Sequence, residues 1–197
     1  GGISPTYAHE LSKDDFNIKT SVLPRVFGLF FNTNENRLLS DIAVRKAINT
    51  AIDRDSIIES VLYGYGTPMQ SPVPKGMENE IGISSGTKED GDITKAQSIL
   101  ESAGWKKGED GIYGKGGGTR TVTTGTGKKK KTTVVSNGPV SKLSFSITTG
   151  DTPELKDAAE RIKETMLALG INVDIKVYET GQLNQMIRSR KYEALQF

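Results

Sequence analysis

Cysteine is absent from this sequence, histidine occurs once, at His9, and tryptophan once, at Trp105. Without cysteine there is no disulfide framework, no thiolate metal ligand and no thiol nucleophile. A single histidine cannot make the pair of a zinc-binding His-Glu-x-x-His helix, and His9, the one candidate base for a Ser-His triad, lies in a polar, aperiodic stretch that reads as surface. Long apolar runs are also missing. Nothing approaches the roughly 18 residues of a membrane span, and no charged segment followed by an apolar one opens the chain as a secretory leader would. An excess of one charge is missing too: 26 Lys and Arg face 24 Asp and Glu, a net charge of +2, which singles out neither nucleic acid nor a membrane as partner.

Glycine is plentiful, with 22 residues, yet no run has the Gly/Lys spacing of a phosphate loop, and the glycines from Gly114 to Gly118 do not stand between a strand and a helix. Acidic residues on the predicted helices alternate with basic ones, as in Asp157/Arg161 and Glu160/Lys163, the pattern of surface ion pairs. The lysines at 128–131 carry charge suited to nucleic acid or anionic lipid but lack interleaved aromatics, and they read as a solvated loop. No catalytic residue, metal ligand or cofactor site is assigned.

What is present is a series of short α/β elements. Val26 to Phe31 reads as a buried strand. Ser40 is placed to cap a helix with Val44, Ala47, Ile48, Ala51 and Ile52 on one face, and Ile57, Ile58, Val61 and Leu62 repeat the period until Gly64. Residues 64–91, rich in Gly and Pro, read as a long loop. Asp92 is placed to cap a helix carrying Ala96, Ile99, Leu100 and Ala103, ended by Gly104 ahead of Trp105, which is expected in the core. Residues 114–142 form a Gly/Thr/Lys-rich insertion, read as mobile or as a β-hairpin. Leu143 to Thr148 is a strand, Thr152-Pro153 opens a helix with Leu155, Ala159, Ile162, Met166 and Leu169 as its stripe, and Ile171 to Tyr178 is a second strand, a β-α-β unit with a right-handed crossover. A helix over 181–189, with Leu183, Met186 and Ile187 inward, leads to a last strand over 192–197. Because the sequence stops inside that strand, residues 1–197 are expected to be a single-lobe fragment of a longer chain.

The order of these segments carries a resemblance. Phe30-Phe31-Asn32-Thr33-Asn34, followed by Val44-Arg45-Lys46-Ala47-Ile48 and Asp53-Arg54, the Gly/Pro-rich loop from Gly64, Ala103-Gly104-Trp105, Asp110-Gly111 and Leu169-Gly170-Ile171, is similar to the oligopeptide- and dipeptide-binding proteins of ATP-driven importers, solute-binding family 5. The resemblance covers about residues 20–113 and 143–197 and implies an α/β fold, a periplasmic-binding-protein-like type II lobe with a mixed sheet flanked by helices. It implies a non-enzymatic substrate-binding component that captures peptides and hands them to the membrane permease subunits. The N-terminal lobe would be missing, and the protein would be a periplasmic or extracellular monomer, free or lipid-anchored. Alternatives are a non-peptide solute, such as a nickel complex or sugar, and a role in protein contact or signalling. Residues 114–142 are longer than the turn usual there, and the family's acidic anchor for a peptide amino terminus should follow near Phe197.

Solute capture needs hydrogen-bonding groups at strand ends and helix starts. The residues expected to supply them are Thr148, Thr149, Gly150 and Asp151, where a strand's carboxyl end meets a helix amino terminus, with Tyr178 and Glu179 at the next strand end.

Overall fold

The computed structural model describes residues 3–14, 16–21, 26–69, 90–117, 119–124, 131–136 and 140–197. Helix α2 (Ile42–Ala51) turns Val44, Ala47, Ile48 and Ala51 to one side, as their spacing predicts, and all four are buried. Its start differs from the expected one. Ser40 ends a 3-10 turn (Arg37–Ser40) and donates back to the Arg37 carbonyl, while Asp41 caps α2, its Oδ1 accepting from the Ala43 N–H at 2.9 Å. Helix α3 (Arg54–Leu62) begins under an Asp53 cap, and Tyr63 is already left-handed (φ 51), one residue before the glycine predicted to stop it. Helix α4 (Ile93–Ser102), capped by Asp92 as predicted, buries Ala96 and Leu100 and packs on α2. Trp105, 3% exposed, joins the core.

The second layer is a four-stranded mixed sheet in the order β1-β9-β7-β8. Strands β7 (Ser144–Gly150) and β8 (Asn172–Tyr178) pair in parallel along their whole length, from Ser144↔Asn172 to Gly150↔Tyr178. Helix α5 (Pro153–Leu169) joins them and buries Ala159, Ile162, Met166 and Leu169. Pro153 sits at its first position, as expected, although the Thr152 side chain makes no capping bond. Strand β9 (Ala194–Gln196) lies parallel on the other side of β7, and β1 (Leu29–Phe31) closes that edge antiparallel. The connection from β8 through α6 (Thr180–Ser189) to β9 therefore passes β7 in the opposite direction from the first crossover. With both crossovers right-handed, α5 and α6 cover opposite faces. α5 packs on β7 and β8 and on α2, α3 and α4, whereas α6 packs on β7 and β8. Leu183, Met186 and Ile187 of α6 are half-buried.

Three departures have physical causes. The aperiodic stretch around His9 contains α1 (Pro5–Lys13): Ser4 caps it and Pro5 starts it, but Ala8 alone is buried, so there is no apolar stripe to see. His9 stacks on Tyr63 with ring centroids 4.3 Å apart. The expected strand over 26–31 shrinks to β1, an edge strand whose Phe30 is 46% exposed. Arg161 reaches Glu164 at 3.5 Å rather than Asp157, while the expected Glu160/Lys163 pair forms at 3.9 Å. In the long loop, residues 70–89 lie outside the described ones.

A small antiparallel sheet holds β2 (Lys106–Lys107), β3 (Tyr113–Lys115) and β6 (Ser141–Lys142), in the order β2-β3-β6. Beyond it, β4 (Thr119–Thr124) and β5 (Lys131–Ser136) pair antiparallel as a separate two-stranded ribbon. The root is fixed by backbone bonds that run Tyr113 N to Gly170 O at 2.8 Å, Leu143 N to Tyr113 O at 2.7 Å and Asn172 N to Leu143 O at 3.0 Å. Tyr113 is wholly buried and donates to Glu101 Oε1 at 2.8 Å; burial, with this bond and the Glu101 charge, pushes its phenol up to about 12.

Candidate functional site

In a sheet with this topology the parallel strands β9, β7 and β8 present their carboxyl ends along one edge, and the crossovers diverge between β9 and β7, where such folds open a crevice. Five of the six residues selected from sequence, Thr149, Gly150, Asp151, Tyr178 and Glu179, collect there. Gly150 and Tyr178 are register partners at the ends of β7 and β8, and Asp151 and Glu179 follow them, both exposed. Tyr178 is half-buried. Thr149 is wholly buried, and its hydroxyl donates to Gln196 O on β9 at 3.2 Å, so this side chain ties the edge together. A Cβ on Gly150 would lie 3.1 Å from Leu155 Cδ1 and 3.6 Å from Leu183 Cδ2, so the backbone is closely flanked by side chains of α5 and α6.

The helix starts at this edge differ from the others. Ser4, Asp41, Asp53 and Asp92 each accept a hydrogen bond from the first turn of α1, α2, α3 and α4. Thr152 at α5 and Glu179 at α6 make no such bond, and both helices begin at the carboxyl edge. First-turn N–H groups left without a cap side chain at a positive helix end suit the carbonyl or carboxylate oxygens of a bound solute. Gln196, which sequence reasoning missed, also belongs here: it pairs in register with Thr149, its Nε2 donates to Leu155 O at 3.2 Å, and its buried Oε1 has no partner.

Thr148 goes elsewhere. Phe145 and Ile147 face the core, so alternation along β7 turns Ser146 and Thr148 to the opposite face. There, with Lys176, Lys191, Tyr192 and Glu193, and with Glu35 beyond β1, they line an open pocket of about 220 Å³. Lys191 to Glu193 lead into β9, which puts the pocket toward the amino ends of the strands. Glu193 is held in place: its Oε1 accepts from Asn36 Nδ2 at 3.0 Å, and its Oε2 from the Ser146 N–H at 2.6 Å and hydroxyl at 2.7 Å. A sequence signal for this pocket existed in Ser146-x-Thr148, two polar residues interleaved with Phe145 and Ile147 in a strand buried on both faces. Among the described residues no group of three His, Cys, Asp or Glu side chains is arranged to hold a metal ion, and no helix is long and apolar enough to cross a membrane.

The mixed sheet flanked by helices is an α/β architecture of the periplasmic-binding-protein type. The comparisons give the family: residues 2–197 match the model for bacterial extracellular solute-binding proteins, family 5 Middle, and the chain belongs to that family. It is 27% identical over 171 residues to the oligopeptide-binding protein AppA of Bacillus subtilis, covering 84% of this chain and 27% of AppA. To protein XP55 of Streptomyces lividans it is 27% identical over 121 residues, covering 61% and 22%. The structure of AppA in complex with a nonapeptide superposes with a TM-score of 0.63 at 26% identity, covering 87% of this chain and 30% of that one. NikZ of Campylobacter jejuni in complex with Ni(L-His) superposes with a TM-score of 0.69 at 21% identity, covering 99% and 34%. The chain thus spans about a quarter of the curated relatives' length and a third of the solved ones.

Proposed function

We propose that the chain is part of one lobe of the substrate-binding component of an ABC importer, a non-enzymatic receptor that captures peptides and delivers them to a membrane permease. The N-terminal lobe that would complete the cleft lies outside this sequence. The observation that carries the reading is the carboxyl edge, where α5 and α6 both start without a side-chain cap beside Gly150, Asp151, Tyr178 and Glu179. An extended peptide offers the carbonyl oxygens and amide N–H groups that helix starts and strand ends bind. Family membership and likeness to oligopeptide-binding relatives support the same class of ligand. Such a receptor works outside the cytoplasmic membrane, in a periplasm or at the cell surface, free or lipid-anchored.

The test is native mass spectrometry of the full-length protein that contains this chain, followed by denaturing identification of what it releases. A ladder of short peptides is the expected result. A single non-peptide species, such as a metal chelate or a sugar, would overturn the peptide assignment and leave the receptor class standing. A protein that stays empty across growth conditions would overturn the transport reading.

A further inference from the structure

We propose that the pocket on the outer face of the sheet, away from the carboxyl edge, is a second binding site that takes a small zwitterion of the α-amino-acid class. Its own hydrogen bonds leave a defined set of groups over. Glu193 is already engaged by Asn36 and Ser146, and the Ser146 hydroxyl is used in that contact. What remains is the ammonium groups of Lys176 and Lys191, the carboxylate of Glu35 and the hydroxyl of Thr148. None of the three charged groups forms an ion pair within the described residues.

Thr148 carries the inference from surface charge to a site. It is 1% exposed, and its Oγ1 has no hydrogen-bond partner. A buried hydroxyl without a partner destabilises a fold, and valine has the same shape in a strand, so a threonine here calls for a partner that arrives from the pocket. The proposed site pairs a carboxylate with the two ammonium groups and this hydroxyl, and an adjacent ammonium with Glu35. A simple anion would leave Glu35 unmatched, and a simple cation would leave both lysines unmatched. The volume of about 220 Å³ equals roughly seven waters at about 30 Å³ each, enough for a small amino acid and too little for an extended peptide.

The test titrates the chain with L-alanine, and separately with acetate and ethylammonium as its two halves, following the amide resonances of Ser146, Thr148, Lys176 and Glu193. Saturable shifts with alanine are expected, with each half-ligand at least about tenfold weaker, the scale of one lost charged hydrogen bond. Thr148→Val should weaken alanine binding by about the same factor while raising the Tm of the empty protein, a combination that a purely structural threonine would not give. Lys176→Gln with Lys191→Gln should weaken binding with the Tm unchanged. Asp151→Asn, at the carboxyl edge, should leave the alanine titration unaltered, which separates failure of this pocket from failure of the edge as a solute site. Absence of saturable shifts, acetate binding as well as alanine, or a lowered Tm in Thr148→Val would each overturn the proposal, the last by assigning the hydroxyl to a structural water.

Discussion

Asp41 holds three parts of the fold at once, and replacing it makes a quantitative test of the architecture. Its Oδ1 caps α2, and its Oδ2 accepts from Trp105 Nε1 at 3.1 Å and from Lys115 Nζ at 3.4 Å. Loss of the cap costs about 1 kcal/mol. An indole N–H left unpartnered on a residue only 3% exposed costs about 1–3 kcal/mol. The Lys115 pair, 44% exposed on the lysine side, adds at most a few tenths of a kcal/mol. Asp41→Ala should therefore lose about 2–4 kcal/mol in urea denaturation followed by far-UV circular dichroism. Asp41→Asn keeps the cap but turns an amide N–H toward the indole N–H, so it should lose only the indole share, and in a Trp105→Phe background it should lose almost nothing. Equal costs of Asp41→Asn in the two backgrounds would refute the reasoning. Acid gives a second reading. Burial pushes the Asp41 carboxyl up, but hydrogen bonds from the Ala43 N–H, Trp105 and Lys115, with the Lys115 charge, outweigh it and leave the carboxyl below its ordinary 3.8. A group depressed in the folded state stabilises fully above its unfolded value and loses that contribution as pH falls through the folded one. The gap between wild type and Asp41→Asn should accordingly close as pH drops below 3.8.

Gly170 ends α5 at φ 105, and a Cβ there would stand 2.8 Å from the Gly111 carbonyl oxygen and 2.8 Å from the Tyr113 ring. Gly170→Ala should cost about 2–4 kcal/mol in thermal or urea unfolding, and a neutral result would mean that the contact between α5's end and the Gly108–Tyr113 turn is not tight. Lys115 and Ser141 are paired neighbours at the root of the insertion, so replacing residues 116–140 by Asn-Gly should close an ordinary two-residue hairpin. The expected outcome is an unchanged circular dichroism spectrum and a Tm within about 2 °C of the parent. Loss of the fold would show that the ribbon supports the rest of the structure.

Helices with a single apolar stripe were legible without coordinates: α2, α4 and α5 fell where Val44 to Ala51, Ala96 to Leu100 and Ala159 to Leu169 placed them, because each is amphipathic and its period survives in the residue order. The β-α-β unit was legible for the same reason, with a short turn at Gly170 that permits only a local connection. Helix α1 was hidden because one buried alanine leaves no stripe, and the cap of α2 was displaced by a residue because Ser40 and Asp41 are both good capping types. Of the candidate site, the sequence supplied the corner from Thr149 to Asp151 and its neighbours Tyr178 and Glu179, since a strand end followed by a Thr-Pro helix start is a local signal.

By itself, then, the residue order determined helices α2, α4 and α5, the parallel pairing of β7 with β8 and the place where two strand ends meet a helix start. It could not determine the position of β9, because whether the third strand joins β8 or crosses back to β7 depends on which helix faces have already been covered. Tertiary structure made that choice, with two consequences. It brought Gln196 beside Thr149 and so built the edge from residues 47 positions apart. It also set Glu193 against Ser146, so that the face of β7 opposite the core became a pocket with a buried hydroxyl, because a central strand has neighbours on both sides and both of its faces must be filled by residues distant in the chain.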